Sequence, residues 1–371
     1  MRAEHLYIHV PFCARRCVYC DFSIAVRATI PSVEYAAALD AEWSVRHGSS
    51  NLELSTLYFG GGTPSKLAGD GVARVLDIVR RRASIQATAE VTLEANPEDV
   101  TAQNAAAWHA SGINRVSLGI QSFDDAMLGW MHRTHDAAQG ARAVEVLRDA
   151  GIPNVSIDLI FATPSSVTRS WTRDVDRALA LDVPHISVYG LTVEPHTPLG
   201  RWVSRLDVAE APEDRFEEEF LAAHSALAAA GFDHYEVSNY GRPGMHSRHN
   251  WAYWDRRPYV GLGPSSHEFD GSTRSWNVAP YAEWERRAGA GRSTQEGCER
   301  LSIEQESAER VYLALRTDKG LVLDDAEVEY VQAWVKSGWA TLDGSKTLRL
   351  TPSGWLRLDA LASSLTSLRS R

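Results

Sequence analysis

Cys13, Cys17 and Cys20 stand in a C-x3-C-x2-C array, and only one other cysteine, Cys298, occurs in 371 residues. Thiolates this close in the chain converge on one centre, and the apolar run that ends at Val10 has to deliver them to it. Iron–sulfur clusters are held by Cys thiolates, ordinarily four. With three, one iron is left open for chemistry or for an exchangeable ligand. Zinc is a competing reading, although zinc sites more often pair two C-x2-C spacings. His9, the nearby candidate for a fourth zinc ligand, lies on the preceding strand and points away by alternation from Ile8 and Val10. Buried thiols without a metal are a further reading. Four cysteines in so long a chain make no disulfide framework, so metal binding in a reducing cytosol is expected.

Length and composition set the outer limits. At 371 residues the chain exceeds the usual single-domain size, although α/β barrels run past about 200 residues as one unit. Hydrophobic residues make up 44% and charged residues 23%, which suits a globular protein with a large core. A net charge of −10 argues against a nucleic-acid partner, because neutralising phosphates needs a basic face. Arg80-Arg81-Arg82 reads as a solvated helix end. No apolar run approaches the roughly 18 residues of a membrane span, and no signal peptide is visible. A cytoplasmic protein is expected, and a membrane-associated partner stays compatible with that.

From Leu6 to Leu191, short apolar runs alternate with helical patterns. Leu6–Val10, Leu54–Phe59, Ala89–Glu94, Arg115–Ile120, Val155–Phe161 and His185–Leu191 read as strands. Val33–His47, Asp70–Arg82, Thr101–Ser111, Ala137–Ala150 and Ser170–Leu181 read as helices, two of them stopped by Ser111-Gly112 and Ala150-Gly151. Serial β–α units imply a parallel sheet, doubly wound or barrel-like. The placing of polar residues favours the barrel. Cys13, the Gly60-Gly61-Gly62-Thr63-Pro64 run, Glu94, Gln121, Asp158 and Tyr189 fall at or near the C-terminal ends of strands, where a barrel gathers its site.

The expected class is therefore α/β, a partial (β/α)6 barrel of the TIM type over residues 1–235. A smaller α+β unit over residues 236–371 follows. It holds a Trp- and His-rich segment, Met245–Trp276, then helices Glu304–Thr317 and Asp325–Ser337 and a hairpin Trp339–Leu350. That order resembles a winged helix. The serine-rich end, Ser363–Arg371, is expected to fray.

Several residues carry chemistry in this frame. Glycines at Gly60–Gly62 let backbone approach a ligand closely, and a tight strand-to-helix turn needs them equally. Asp158 lies in a strand covered on both faces, where an ionised carboxylate needs a partner, either a structural salt bridge or a ligand. Glu94 suits ribose hydroxyls or an ammonium group, and Arg133 suits a carboxylate. Tyr7 and Tyr19 flank the cysteines and either shield the centre from water or touch its ligand. His246, His249 and His267 lie among aromatic residues. That composition fits a planar macrocycle with a histidine-bound iron, and it also fits a Trp-rich interface with hydrogen-bonded histidines.

C-x3-C-x2-C after a first strand resembles the radical S-adenosylmethionine (SAM) superfamily. Tyr7-x-His9-x-Pro11-Phe12-Cys13, the GGGTP loop and Leu93-Glu94-Ala95-Asn96-Pro97 are similar to the oxygen-independent coproporphyrinogen III oxidase-like family and its heme-chaperone branch. The likeness spans nearly the whole chain. It implies a [4Fe–4S] cluster on Cys13, Cys17 and Cys20, with SAM chelating the fourth iron through its amino and carboxylate groups. It assigns Gly61, Gly62, Thr63, Glu94, Gln121, Arg133 and Asp158 to SAM, and sets the Tyr7 side chain and Tyr19 backbone against it. Arg133 departs from the family's L-G-R-x-H, since Trp130-Met131-His132-Arg133 displaces the glycine.

The H-N-x-x-Y-W of His249–Trp254 resembles the chaperone branch and makes His249 the first choice for heme contact, ahead of His246 and His267. The oxidases carry a longer arm before the first cluster cysteine, where this chain has twelve residues. They also carry a further cysteine two positions beyond the third, where this chain has Phe22. The implied protein is a heme chaperone that binds heme, holds the cluster with exchangeable SAM, and passes heme to an acceptor protein. The alternative is a coproporphyrinogen III dehydrogenase, which uses the same cofactors to turn propionates into vinyl groups. A zinc-stabilised binding module without SAM is the third possibility.

Overall fold

The computed structural model describes residues 3–48, 52–164 and 167–370. Its frame is a twelve-stranded sheet. At the centre β1 (His5–Val10), β2 (Leu52–Gly61), β3 (Ala83–Ala95), β4 (Arg115–Gln121), β5 (Val155–Phe161) and β6 (His185–Gly190) lie side by side in chain order, all parallel. A doubly wound sheet reverses its strand order at a switch point; these six strands never do. Right-handed crossovers in one direction put every connecting helix on the same side. The barrel reading therefore holds.

Alternation along each strand builds two different faces. Leu6, Ile8 and Val10 of β1 and Val116, Leu118 and Ile120 of β4 are fully buried against the helices. The other parity is polar and meets across the barrel interior: Tyr58 bonds Glu94, and Ser117 bonds Asp158. The helices run Ser32–Arg46, Ala68–Arg82, Ala102–Ala110, Ala137–Asp149 and Trp171–Ala180, within a few residues of expectation. Gly112 and Gly151 stop two of them in the left-handed region, at φ 97° and 89°.

The chain beyond residue 235 does not stand apart from this sheet. β7 (Asp233–Glu236) and β8 (Asn239–Gly241) extend it past β6. A short helix, Arg248–Trp254, then crosses to the other flank, where β9 (Tyr259–Leu262) pairs in parallel with β1. The antiparallel strands β10 (His267–Phe269), β11 (Thr273–Asn277) and β12 (Gln295–Arg300) complete that side. Residues 259–300, expected within the second unit, are thus an arm of the first sheet.

One buried carboxylate fastens this arm. Glu42, on helix Ser32–Arg46, accepts from Gly263 N (2.8 Å), Thr294 Oγ1 (2.8 Å) and Trp284 Nε1 (3.1 Å), and from Asn277. Bonds to a charged acceptor are the strong kind, and their number makes the burial of Glu42 tolerable. Tyr35, Leu39 and Trp43, spaced by four, bury the same helix face. Each such side chain contributes about 1.5–3 kcal/mol.

Among the described residues, 303–369 carry a separate small sheet with its own helices. Helix Ile303–Leu315, a three-stranded sheet (Leu321–Val322, Ala340–Leu342, Thr347–Leu350) and helix Leu358–Arg369 make up this region. The expected helix over 325–337 is interrupted at Val331, whose ψ of −2° turns it off the helical path. The expected fraying of the C-terminus is not seen through Arg369, because Leu361 and Leu365 are buried. Arg371 lies outside the described residues.

Candidate functional site

A cavity of about 510 Å³ opens at the C-terminal ends of the strands, the catalytic face of such barrels. Cys13, Cys17 and Cys20 line it together with Tyr19, Gly61, Gly62, Thr63, Glu94, Gln121, Arg133 and Asp158. Eleven of the thirteen expected residues thus meet in one place. Tyr7 and His249 do not.

The glycine run seats the cysteine loop. A Cβ on Gly61 (φ 112°) would stand 2.6 Å from the His9 ring, and one on Gly62 would stand 2.7 Å from the Pro11 backbone. Both glycines therefore admit the segment that leads into Cys13. Gly62→Ala should cost about 1–3 kcal/mol of stability through that overlap and lower the iron retained after reconstitution, read by thermal unfolding and metal analysis.

Polar neighbours surround the thiols. Thr63 Oγ1 lies 3.3 Å from Cys13 Sγ. Arg133 Nη1 donates to Cys17 Sγ at 3.5 Å, while its Nη2 donates to Asn96 Oδ1 (2.6 Å) and the Gly119 carbonyl (2.8 Å). Two residues hold backbone conformations that suit glycine better, Gln121 at φ 69° and His132 at φ 60°, and both line the cavity. Such strain, of order 1–3 kcal/mol, gathers at functional sites.

On the cavity floor Glu94 accepts from Tyr58 OH (2.8 Å) and Gly61 N (3.1 Å). Asp158 accepts from Ser117 Oγ at 3.3 Å. Burial raises both acids, Glu94 to about 7. A carboxyl raised from its unfolded value near 4.5 stays protonated in the native state while the unfolded chain ionises. Stability therefore falls as pH rises from about 4.5 to 7, by up to roughly 3 kcal/mol. Glu94→Gln should abolish that fall: denaturant unfolding should find the variant more stable than wild type at pH 8 and little different near pH 4.

The donor set fits an iron–sulfur cluster. Burial pushes the Cys13 thiol up to about 11 and raises Cys20, the reverse of what a cysteine nucleophile requires. Metal binding overcomes such a shift by displacing the proton. Among the described residues no three His, Cys, Asp or Glu side chains converge where a single ion would sit. Three thiols that line one cavity can each take a different iron of a cluster. His9 is no fourth ligand here: its nitrogens lie 3.2 Å from Tyr7 OH and 3.1 Å from the Ser23 carbonyl.

Tyr7 packs behind the cavity wall, its ring 6.2 Å from that of Tyr58 and its hydroxyl on His9. His249 is displaced further. It is fully buried at the opposite end of the barrel, with Nδ1 2.7 Å from Thr56 Oγ1 and Nε2 2.8 Å from Tyr253 OH. Its ring stacks on Tyr58 at 5.0 Å, and burial lowers its pKa to about 3. Both of its ring nitrogens are thus engaged inside the protein. Glu90 caps the same helix, accepting from the Arg248 and His249 amides at 3.1 and 3.0 Å.

His246 is half-buried at that end, Nε2 3.2 Å from Asp233 Oδ2. His267 is exposed and stacks near Trp276 at 6.2 Å. It follows the C-terminal end of β9 and so lies at the cavity end. Ser117, which was not expected at the site, and Tyr189, expected only as a strand-end residue, also line the cavity. Their signal was strand parity: each faces the same way as Asp158 or its neighbours.

Residues 7–167 match the radical SAM superfamily, which defines the class of this fold and site. Its cofactors are a [4Fe–4S] cluster and SAM. A heme chaperone HemW from Mycobacterium tuberculosis is 38% identical over 97% of this chain and 94% of its own length. A HemW from Lactococcus lactis is 34% identical over 87% and 84%. The chain belongs to the heme chaperone HemW family. In fold it is also similar to the coproporphyrinogen III oxidase HemN of Escherichia coli, with a TM-score of 0.84 and 19% identity over 99% of this chain and 91% of that one. Among the described residues no helix is long and apolar enough to cross a membrane.

Proposed function

We propose that this protein is a heme chaperone: it binds heme, carries the cluster with exchangeable SAM, and passes heme to an acceptor protein. The observation that carries the reading is the 38% identity to a heme chaperone along 97% of the chain, a span that takes in both the cavity and the His249–Trp254 motif.

In this reading Cys13, Cys17 and Cys20 hold three irons and leave the fourth to SAM. When bound and reduced, the cluster can supply an electron to SAM. Thr63 and Arg133 offset the negative charge of the thiolates. Glu94 and Asp158 receive the cationic end of SAM, and Gly61 and Gly62 keep the wall free of side chains. Tyr19 and Gln121 complete that wall.

Heme contact falls to His267 in preference to His249. His267 is exposed and stands beside an indole, and an aromatic wall with an available imidazole is what a heme requires. Phe22, 59% exposed at the cavity end, adds apolar surface. His249 instead holds the barrel's opposite end together.

The discriminating test is an anaerobic assay of the reconstituted protein with coproporphyrinogen III, SAM and a reductant. A chaperone forms no protoporphyrinogen under conditions in which an authentic oxidase does. Turnover at a comparable rate would transfer the function to the decarboxylase class.

A further inference from the structure

One charge inside the barrel has no place in the roles above. Arg115 begins β4 and is 2% exposed. Strand alternation puts it on the same face as Ser117, whose hydroxyl bonds Asp158. In register it lies opposite Thr92 of β3, two residues before Glu94. Among the described residues its guanidinium makes no hydrogen bond or ion pair, and Nε is buried without a partner. A buried guanidinium without a counterion is strongly destabilising, so charges across the interior must answer it.

Glu94 and Asp158 do so on the cavity side; Glu90, two residues before Thr92 on the same face, lies on the other side, where it accepts from the Arg248 and His249 amides. Burial raises Glu94 and Asp158, and the field of Arg115 opposes that rise in each. The other titratable groups facing the two acids are Tyr7 and Tyr58 from β1 and β2, Tyr189 from β6, Tyr253 from the helix Arg248–Trp254, and Arg133, while His185, Tyr235 and His249 face Arg115 from the far side. The tyrosines are all raised, chiefly by burial, and so are neutral. Arg133 is committed to Asn96, Gly119 and Cys17 in the layer above. A guanidinium cannot be deprotonated in a protein, and one sealed inside is little screened by salt. With both acids ionised, Glu94, Asp158 and Arg115 together carry one net negative charge. SAM, with an ammonium, a sulfonium and a carboxylate, carries one net positive charge.

We propose that Arg115 is a positioning residue, an interior cation that keeps the cavity floor anionic for a cationic ligand. The inference rests on the reading of the cavity as a SAM site. It is tested by calorimetric titration of SAM into the reconstituted holoprotein between pH 6 and pH 9, for wild type, Arg115→Gln and Arg115→Lys. In the wild type, affinity should fall below a midpoint set by the two acids. Arg115→Gln should move that midpoint up by about one pH unit, weakening binding up to roughly tenfold at pH 7 and little at pH 9. Arg115→Lys should restore the wild-type profile.

Equal weakening at every pH, with the midpoint unmoved, is what a packing role predicts, and it overturns the inference alone. A wild-type holoprotein that binds no SAM overturns the cavity reading, and the inference with it. If Arg115→Gln does not fold, the wild-type midpoint is compared at about 50 mM and about 500 mM KCl. An interior cation predicts a shift below about 0.2 pH units, and a larger shift assigns the acids to solvent-exposed charges and overturns the proposal.

Discussion

Cys17→Ser removes the iron–sulfur cluster and leaves the barrel folded. The wild type, reconstituted without oxygen, should hold about four iron and four sulfide per chain, and the variant should hold little of either. The expectation follows from where the thiols sit. All three edge the cavity, and Cys17 is only half-buried there, so its replacement takes away a ligand without opening a packing defect. Circular dichroism and the unfolding midpoint of the cluster-free protein should match those of cluster-free wild type. Cys298→Ser is the control: that thiol is exposed on the outermost strand β12, and its replacement should leave iron and sulfide unchanged. Stoichiometric zinc without sulfide in the wild type would contradict the assignment.

The second large effect separates two histidines. His249→Ala empties a fully buried site, leaves Tyr253 without its partner and Thr56 with His5 alone, and deletes a ring stacked on Tyr58. The loss should be about 3 kcal/mol of folding stability, from the cavity and the stranded polar groups together. His267→Ala removes an exposed ring and should leave stability nearly unchanged, yet weaken heme binding at least tenfold. Chemical unfolding and heme titration of both variants read the two effects. Unchanged heme affinity in His267→Ala, with a loss in a stable His249→Ala, would return the contact to the H-N-x-x-Y-W motif.

The six β–α units were legible because each strand is a short apolar run that needs no distant partner to be recognised. The arm at residues 259–300 was not. Tyr259–Leu262 becomes a strand by pairing with His5–Ile8, some 250 residues away in the chain, and no local period encodes that register. The cavity divides in the same way. Cys13, Cys17 and Cys20 announce themselves by spacing, and the glycines by composition. Ser117 and Arg115 are isolated polar residues in an apolar strand, and only the neighbouring strand shows that they face Asp158 and Glu94. His249 was ambiguous for a related reason. A histidine among aromatic residues fits a ligand and a buried hydrogen-bonded ring equally well, and Thr56, its partner across the fold, lies 193 residues away.

The cavity and the H-N-x-x-Y-W helix occupy opposite ends of one barrel. The claim that the protein handles heme is tested most directly by titrating heme into the anaerobically reconstituted wild type and following the Soret band. The account predicts a saturable shift that ends at one heme per chain. A signal that rises linearly without saturation, as heme does when it adsorbs without a site, would contradict it.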